Sequence, residues 1–197
     1  MNGGRTNMGQ KAITIYTPEG TAAHIAAEDD AFIHRCMLGG ASGILGSMSC
    51  VKVDDNTVRL SGGGFSNKGY ILRIPDGETL ELTVESGSGG YNRIDTVAAV
   101  FTKGGGDVAD THSFAVIKGT PVTGTPSAPS LTTSSLLASG NVNQAAVFHI
   151  RITGSEITSV SRAAVLLPAA SAMSGFSYGT ATPSGGRDGD IYFKIES

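Results

Sequence analysis

Past Gly46 the chain alternates apolar and polar residues in short runs broken by Gly, Pro, Asp and Asn, the period-two signature of half-buried strands. Ser49–Val53 and Thr57–Leu60 flank Asp54-Asp55-Asn56 and read as a hairpin. Tyr70–Ile74 and Thr79–Val84 flank Pro75-Asp76-Gly77-Glu78, where proline presets φ and glycine accepts a positive one, so a turn is expected there. In the second of these runs Leu80, Leu82 and Val84 face one side, and Glu81, Thr83 and Glu85 the other. Arg93–Thr102 and Ser113–Lys118 form a third pair around the loop Lys103–His112. Gln144–Thr153 and Glu156–Val160 flank Gly154-Ser155, with Phe148, Ile150 and Ile152 pointing inward and His149 and Arg151 outward.

One stretch departs from this period. From Ala26 to Leu38 the spacing is helical, and Ile25, Ala26, Ile33, Cys36 and Met37 can share one face. Glu28, Asp29 and Asp30 occupy the first turn, where the helix dipole favours negative charge, and Gly39-Gly40 ends the segment. Ala12–Tyr16 and Asp190–Ile195 are short β-prone runs at either end of the chain. The pattern predicts a mainly β protein, an antiparallel β-sandwich or partly closed barrel, with one short helix at about 26–38. Residues 1–10 read as an N-terminal arm, 11–167 as the β-rich domain, and 168–197 as a small, polar tail carrying the final strand. Within the domain, 119–135 holds Pro121, Pro126 and Pro129 and reads as an extended surface crossing or a linker.

Composition narrows the function classes. The 197 residues include 28 glycines, about twice what an average usage of roughly 7% gives, with no collagen period. Charged residues are 16% and the net charge is -3, against a dense basic face for nucleic acid or anionic membrane. No apolar run approaches the ~18 residues of a membrane span, and MNGGRTNMGQ lacks the apolar region of a secretory signal. Cys36 and Cys50 form no CxxC and are expected to be reduced structural thiols.

No motif assembles catalytic chemistry. His24, His34, His112 and His149 show no HExxH and no ligand spacing with a cysteine; His34 and Cys36 point different ways on a helix. Helix-terminal charge and turn formation account for Glu28-Asp29-Asp30 and Asp54-Asp55. Asp188-Gly189-Asp190 lacks the rest of an EF-hand loop and reads as a tight turn. Gly62-Gly63-Gly64 and Gly87-Ser88-Gly89-Gly90 fit neither phosphate-loop pattern and read as β-turns and bulges. Gly175-Phe176-Ser177-Tyr178-Gly179 matches the letters of a nucleophile elbow without a strand before it or a helix after it. No catalytic residue, metal or cofactor is therefore assigned, and no hydrolase activity on peptidoglycan or capsular polysaccharide is expected.

Several segments carry a resemblance. His24–Ala31 continuing through Leu38-Gly39-Gly40-Ala41-Ser42-Gly43-Ile44-Leu45 resembles a short acidic helix followed by a G-G-x-x-G-[VI]-L turn. Gly69-Tyr70 to Ile74 resembles a glycine-led strand, and Arg93-Ile94-Asp95-Thr96-Val97 an R-[IV]-D-x-[IV]-V strand. Val116-Ile117-Lys118-Gly119-Thr120 with Pro126, Pro129 and Leu131 resembles a V-x-K-G-T…P…P-x-L crossing, and Gly179–Tyr192 a short C-terminal ending. In this order the segments resemble tail or baseplate appendage proteins of tailed bacteriophages and prophages. Ala26 stands where that family usually has Ser or Thr, losing an N-cap hydrogen bond worth about 1 kcal/mol. The resemblance implies a non-enzymatic part of a virion tail, made in the bacterial cytoplasm, with other tail or baseplate proteins as partners. It also implies a homotrimer, which could tie down the polar segments 1–10 and 168–189. A receptor-binding module for host-surface saccharide is the alternative. Arg93 and Asp95, two apart on one strand face, read as a structural pair.

Overall fold

The computed structural model describes residues 26–104, 108–136, 140–167, 176–179, 182 and 191–194. Helix α1 (Ala27–Met37) precedes β1 (Gly43–Leu45), β2 (Cys50–Asp54), β3 (Thr57–Asn67) and β4 (Tyr70–Thr83). These are followed by β5 (Asn92–Thr102), β6 (Thr111–Ile117), β7 (Val142–Thr153), β8 (Glu156–Arg162) and β9 (Leu166–Leu167). Two short strands, β10 (Phe176–Gly179) and β11 (Ile191–Lys194), pair in parallel as a separate ribbon.

Strand β3 is the spine of the first sheet. On one side it pairs along its length with β4; on the other, β2 takes its first half (Cys50 opposite Leu60) and β1 its second (Ile44 opposite Phe65). Strand β9 joins β1 in parallel. The second sheet, β6-β5-β7-β8, is antiparallel throughout. Both sheets are curled, each a half-barrel, and they enclose one apolar core. Val58, Leu60, Phe65 and Ile74 from the first meet Val97, Phe148, Ile150 and Ile152 from the second. Each such side chain fully withdrawn from water contributes about 1.5–3 kcal/mol. The expected mainly β architecture with one short helix is the observed one.

The two halves of β7 reach this core through a bulge. Ala146 faces Ala98 and Phe148 faces Val97, so Val147 is an extra residue, and it is fully buried. The insertion shifts the inward phase: Asn143 points in ahead of it, Phe148, Ile150 and Ile152 after it. A strict period of two would have turned one half outward.

Four expectations are corrected. Pro75-Asp76-Gly77-Glu78 does not reverse the chain; Tyr70–Thr83 is one strand, and the segment bulges where Ser61-to-Gly63 on β3 faces Thr79-to-Ile74 on β4. Proline's missing N–H is harmless at such a kink. Gly62 gives the carbonyl of Pro75 room, since a Cβ there would lie 2.7 Å from it. Gly43-Ile44-Leu45 is a strand rather than the end of a turn, inserted between β3 and β9. A Cβ on Gly43 would come within 2.8 Å of the Val165 carbonyl, which accepts from Ile44 N–H. The tail contains β10 as well as the final strand, where only the latter was expected.

The fourth correction concerns the helix face. Ile33, Cys36 and Met37 point to solvent with Phe32, and the residues α1 buries are Asp29 and Ala31. Ala31 belongs to a small second core with Tyr70, Phe101 and Leu136. The helix backbone comes so close to the β3–β4 turn that a Cβ on Gly69 would collide with the Ala31 carbonyl. Only a small side chain fits at that contact, so proximity selects the face rather than hydrophobicity. Ile25, Ala12–Tyr16 and the arm at 1–10 lie outside the described residues.

Candidate functional site

Arg93 and Asp95 lie side by side on β5 and are almost completely buried. Arg93 Nε donates to both carboxylate oxygens of Asp95, at 2.9 and 3.2 Å, and Nη2 donates to Oδ2 at 3.1 Å. The guanidinium also donates to the carbonyls of Ser86 (3.1 Å) and Glu85. Asp95 Oδ1 accepts from Gly119 N–H at 2.8 Å. A charged pair so buried is tolerable only with its remaining donors and acceptors satisfied. Here those partners come from the segment after β4 and the start of the crossing. A side chain on Gly119 would strike the Ile94 carbonyl, which explains the glycine there.

The crossing is tied to the second sheet at both ends. Asn92 and Val122 exchange backbone hydrogen bonds at one end. At the other, Gln144 N–H donates to Thr132 O at 2.7 Å, and Gln144 Oε1 accepts from Thr132 N–H at 2.8 Å. Ser134 N–H donates to Asn143 Oδ1 at 3.1 Å. Asn143, itself buried, is paired with buried Asn67 at the end of β3. Asn67 Nδ2 donates to the carbonyls of Ala99 and Asn143, at 3.2 and 3.1 Å, joining the two sheets.

Beside α1, Tyr70 packs on Phe101 with ring centroids 4.2 Å apart and the rings tilted by 41°, and Phe101 and His112 meet edge-to-face at 5.4 Å. Among the described residues, the Tyr70 hydroxyl and His112 Nε2 are buried without a hydrogen-bond partner. Burial pushes the His112 imidazole down to about 4. Burial, then Glu28 and Asp110, holds the Tyr70 hydroxyl above the usual phenol range. His149, 3.0 Å from Thr96 Oγ1 through Nδ1, is lowered by desolvation.

Three open clefts flank this region. One of about 270 Å³ lies between α1 and β4, reaching Tyr70, Phe101 and His112. A second, about 380 Å³, lies between the edges of β4 and β6, lined by Leu72, Ile74, Leu80 and Phe114. The third, about 330 Å³, is the most polar of the three. Arg35 on α1, Lys68 in the β3–β4 turn and Thr133, Ser134 and Ser135 of the crossing line it, together with Leu136 and Asn143.

The structure joins few of the residues that the sequence singles out. Arg93 and Asp95 form the pair described above. His34 sits with Nδ1 3.2 Å from the Gly69 carbonyl, and His34 and His112 line the cleft beside α1. Among the described residues no group of three His, Cys, Asp or Glu side chains is placed to hold a metal ion. Cys36 and Cys50 are free thiols on different elements. Ser177 lies within strand β10, not at a strand-to-helix turn. His24, Gly175 and Asp188-Gly189-Asp190 lie outside the described residues. No helix among the described residues is long and apolar enough to cross a membrane. The Asn67–Asn143 link and the polar cleft were missed because their parts are remote in sequence; the one local signal was Lys68-Gly69 between two strand runs.

No family model, no curated protein and no solved structure matches this chain.

Proposed function

We propose that the protein is a non-enzymatic structural component of a phage or prophage tail tip or baseplate, contributing to virion assembly and host attachment. The observation that carries this reading is where the resembling motifs fall. Arg93, Asp95 and Gly119 make one buried brace, and Gly69 and Gly43 sit at close backbone approaches beside β3. On this reading the residues that carry the resemblance hold a scaffold, as a load-transmitting subunit requires. The exposed apolar side chains Phe32, Ile33 and Met37 on α1 support a chain that works inside an assembly, as a homotrimer among other tail proteins. Immunogold electron microscopy on purified particles tests the reading. Label at the tail tip or baseplate is expected, and particles without label would overturn it.

The attachment role has an observation of its own. The polar cleft under Arg35 and Lys68 opens to solvent and carries hydroxyl groups beside the two cations, favouring a polar surface ligand such as host saccharide.

A further inference from the structure

We propose that the cleft between α1, the β3–β4 turn and the crossing binds an oxyanion, a carboxylate or phosphate carried on an acidic surface polysaccharide. The oxyanion chemistry stands on the geometry below; its assignment to a host polymer rests on the attachment reading above.

Charge is the first argument. The chain has 17 acidic and 14 basic residues, yet the described residues around this cleft include Arg35 and Lys68 and no carboxylate. Neither side chain makes an ion pair or a side-chain hydrogen bond among the described residues, so both positive charges are available to a ligand. Thr133 and Ser135 add hydroxyls to the lining, while the Ser134 hydroxyl donates to the Val142 carbonyl. Guanidinium, ammonium and hydroxyl groups brought to one cleft by separate elements suit an anion with further oxygens around it.

Backbone conformation is the second. Asn67 and Tyr70 pair across the two-residue turn Lys68-Gly69, and both turn residues have positive φ, 57° and 98°. Such a turn favours Asn, Asp or Gly at its first position. Lys68 is the only non-glycine residue with positive φ among those described, and its backbone is fixed by donation to Ser42 Oγ at 3.2 Å. An unfavourable residue held where it projects a charge over a cleft points to use of that charge.

Preorganisation is the third. Ser134 is anchored through its N–H to Asn143 and through its Oγ to the Val142 carbonyl. Gly40 leaves room for Arg35, whose Nε would lie 3.3 Å from any Cβ placed there. The Ser134 wall is thus set before a ligand arrives, which lowers the ordering cost of binding on that side. At about 330 Å³ the cleft is at the small end of ligand sites, roughly 300–1,000 Å³, and suits one acidic sugar or glycerol phosphate unit.

The test is a two-dimensional amide NMR titration of the full chain at constant ionic strength with glucuronate, glycerol phosphate and glucose. Saturable shifts at Lys68, Gly69 and Ser134–Ser135 are expected with at least one acid and not with glucose. The responding acid distinguishes a carboxylate source from a phosphate source. Arg35→Gln and Lys68→Gly should each weaken binding at least about tenfold, as loss of a charged donor does. Lys68→Gly suits the turn, so its melting temperature should hold or rise while binding falls. No saturable shift with either acid, an equal response to glucose, or undiminished binding in the double variant would overturn the proposal. Failure here with the protein present at the tail tip would leave the virion reading intact. Acid binding by a protein absent from particles would leave the site and remove the reading.

Discussion

Asp95 shows how much one side chain can hold. Its carboxylate is fully buried, takes the Arg93 guanidinium and accepts the Gly119 amide, so removing the cation strands a charge in the interior. Arg93→Ala should cost about 3–5 kcal/mol in urea denaturation at pH 7. Asp95→Asn keeps an acceptor for Gly119 and should cost less than Asp95→Ala. His112 is the second residue with a measurable signature. Its folded pKa of about 4 lies below the ordinary 6.5, so the folded state resists protonation. The stability held by neutral His112 is complete above pH 6.5 and is lost as pH falls through about 4. His149, shifted the same way, adds to that slope. His112→Gln should flatten the stability profile between pH 6.5 and 4, read from urea midpoints across that range. Burial also raises the Cys50 thiol to about 11, leaving little thiolate at pH 8, whereas Cys36 is exposed. Iodoacetamide at pH 8 should therefore label Cys36 and spare Cys50 until the chain is unfolded, as peptide mass mapping will show.

At the scale of elements, close approach decides what patterning leaves open. Gly69→Ala would place a methyl group against the Ala31 carbonyl at a position with φ of 98°. The conformation alone costs about 1–3 kcal/mol, and the collision should lift α1 from the sheet. Hydrogen exchange should show α1 amides losing protection while β5 and β7 keep theirs. The strands themselves were legible where a half-buried run keeps the period of two: Leu80, Leu82 and Val84 turn inward, and so do Phe148, Ile150 and Ile152. Gly154 turns β7 into β8 with φ of 59°, as its letters predict. What was not legible depends on the neighbouring strand. Pro75–Glu78 has the chemistry of a turn, and only the straight run of β3 beside it reduces that turn to a bulge. Val147 looks like any strand residue until Phe148 and Ala146 are seen to face adjacent residues of β5. Helical periodicity located α1 but not its buried face, which the Gly69 contact selects. The polar cleft is illegible for a different reason. Residues 35, 68 and 133–135 meet only because the crossing returns to Gln144 and the β3–β4 turn lies beside α1.

For the whole molecule, two half-barrels share one core and are cross-linked by buried polar groups, Asn67 to Asn143 between the sheets and Arg93–Asp95 to the flanking loops. Such a body suits a part that transmits force or positions a neighbour, in keeping with the proposed place in a tail tip or baseplate. The most direct test is quantitative mass spectrometry of gradient-purified particles, counting this chain against a tail protein of known copy number. The account predicts a small fixed copy number per particle, in a multiple of three. Its absence from intact particles that carry the other tail proteins would contradict it.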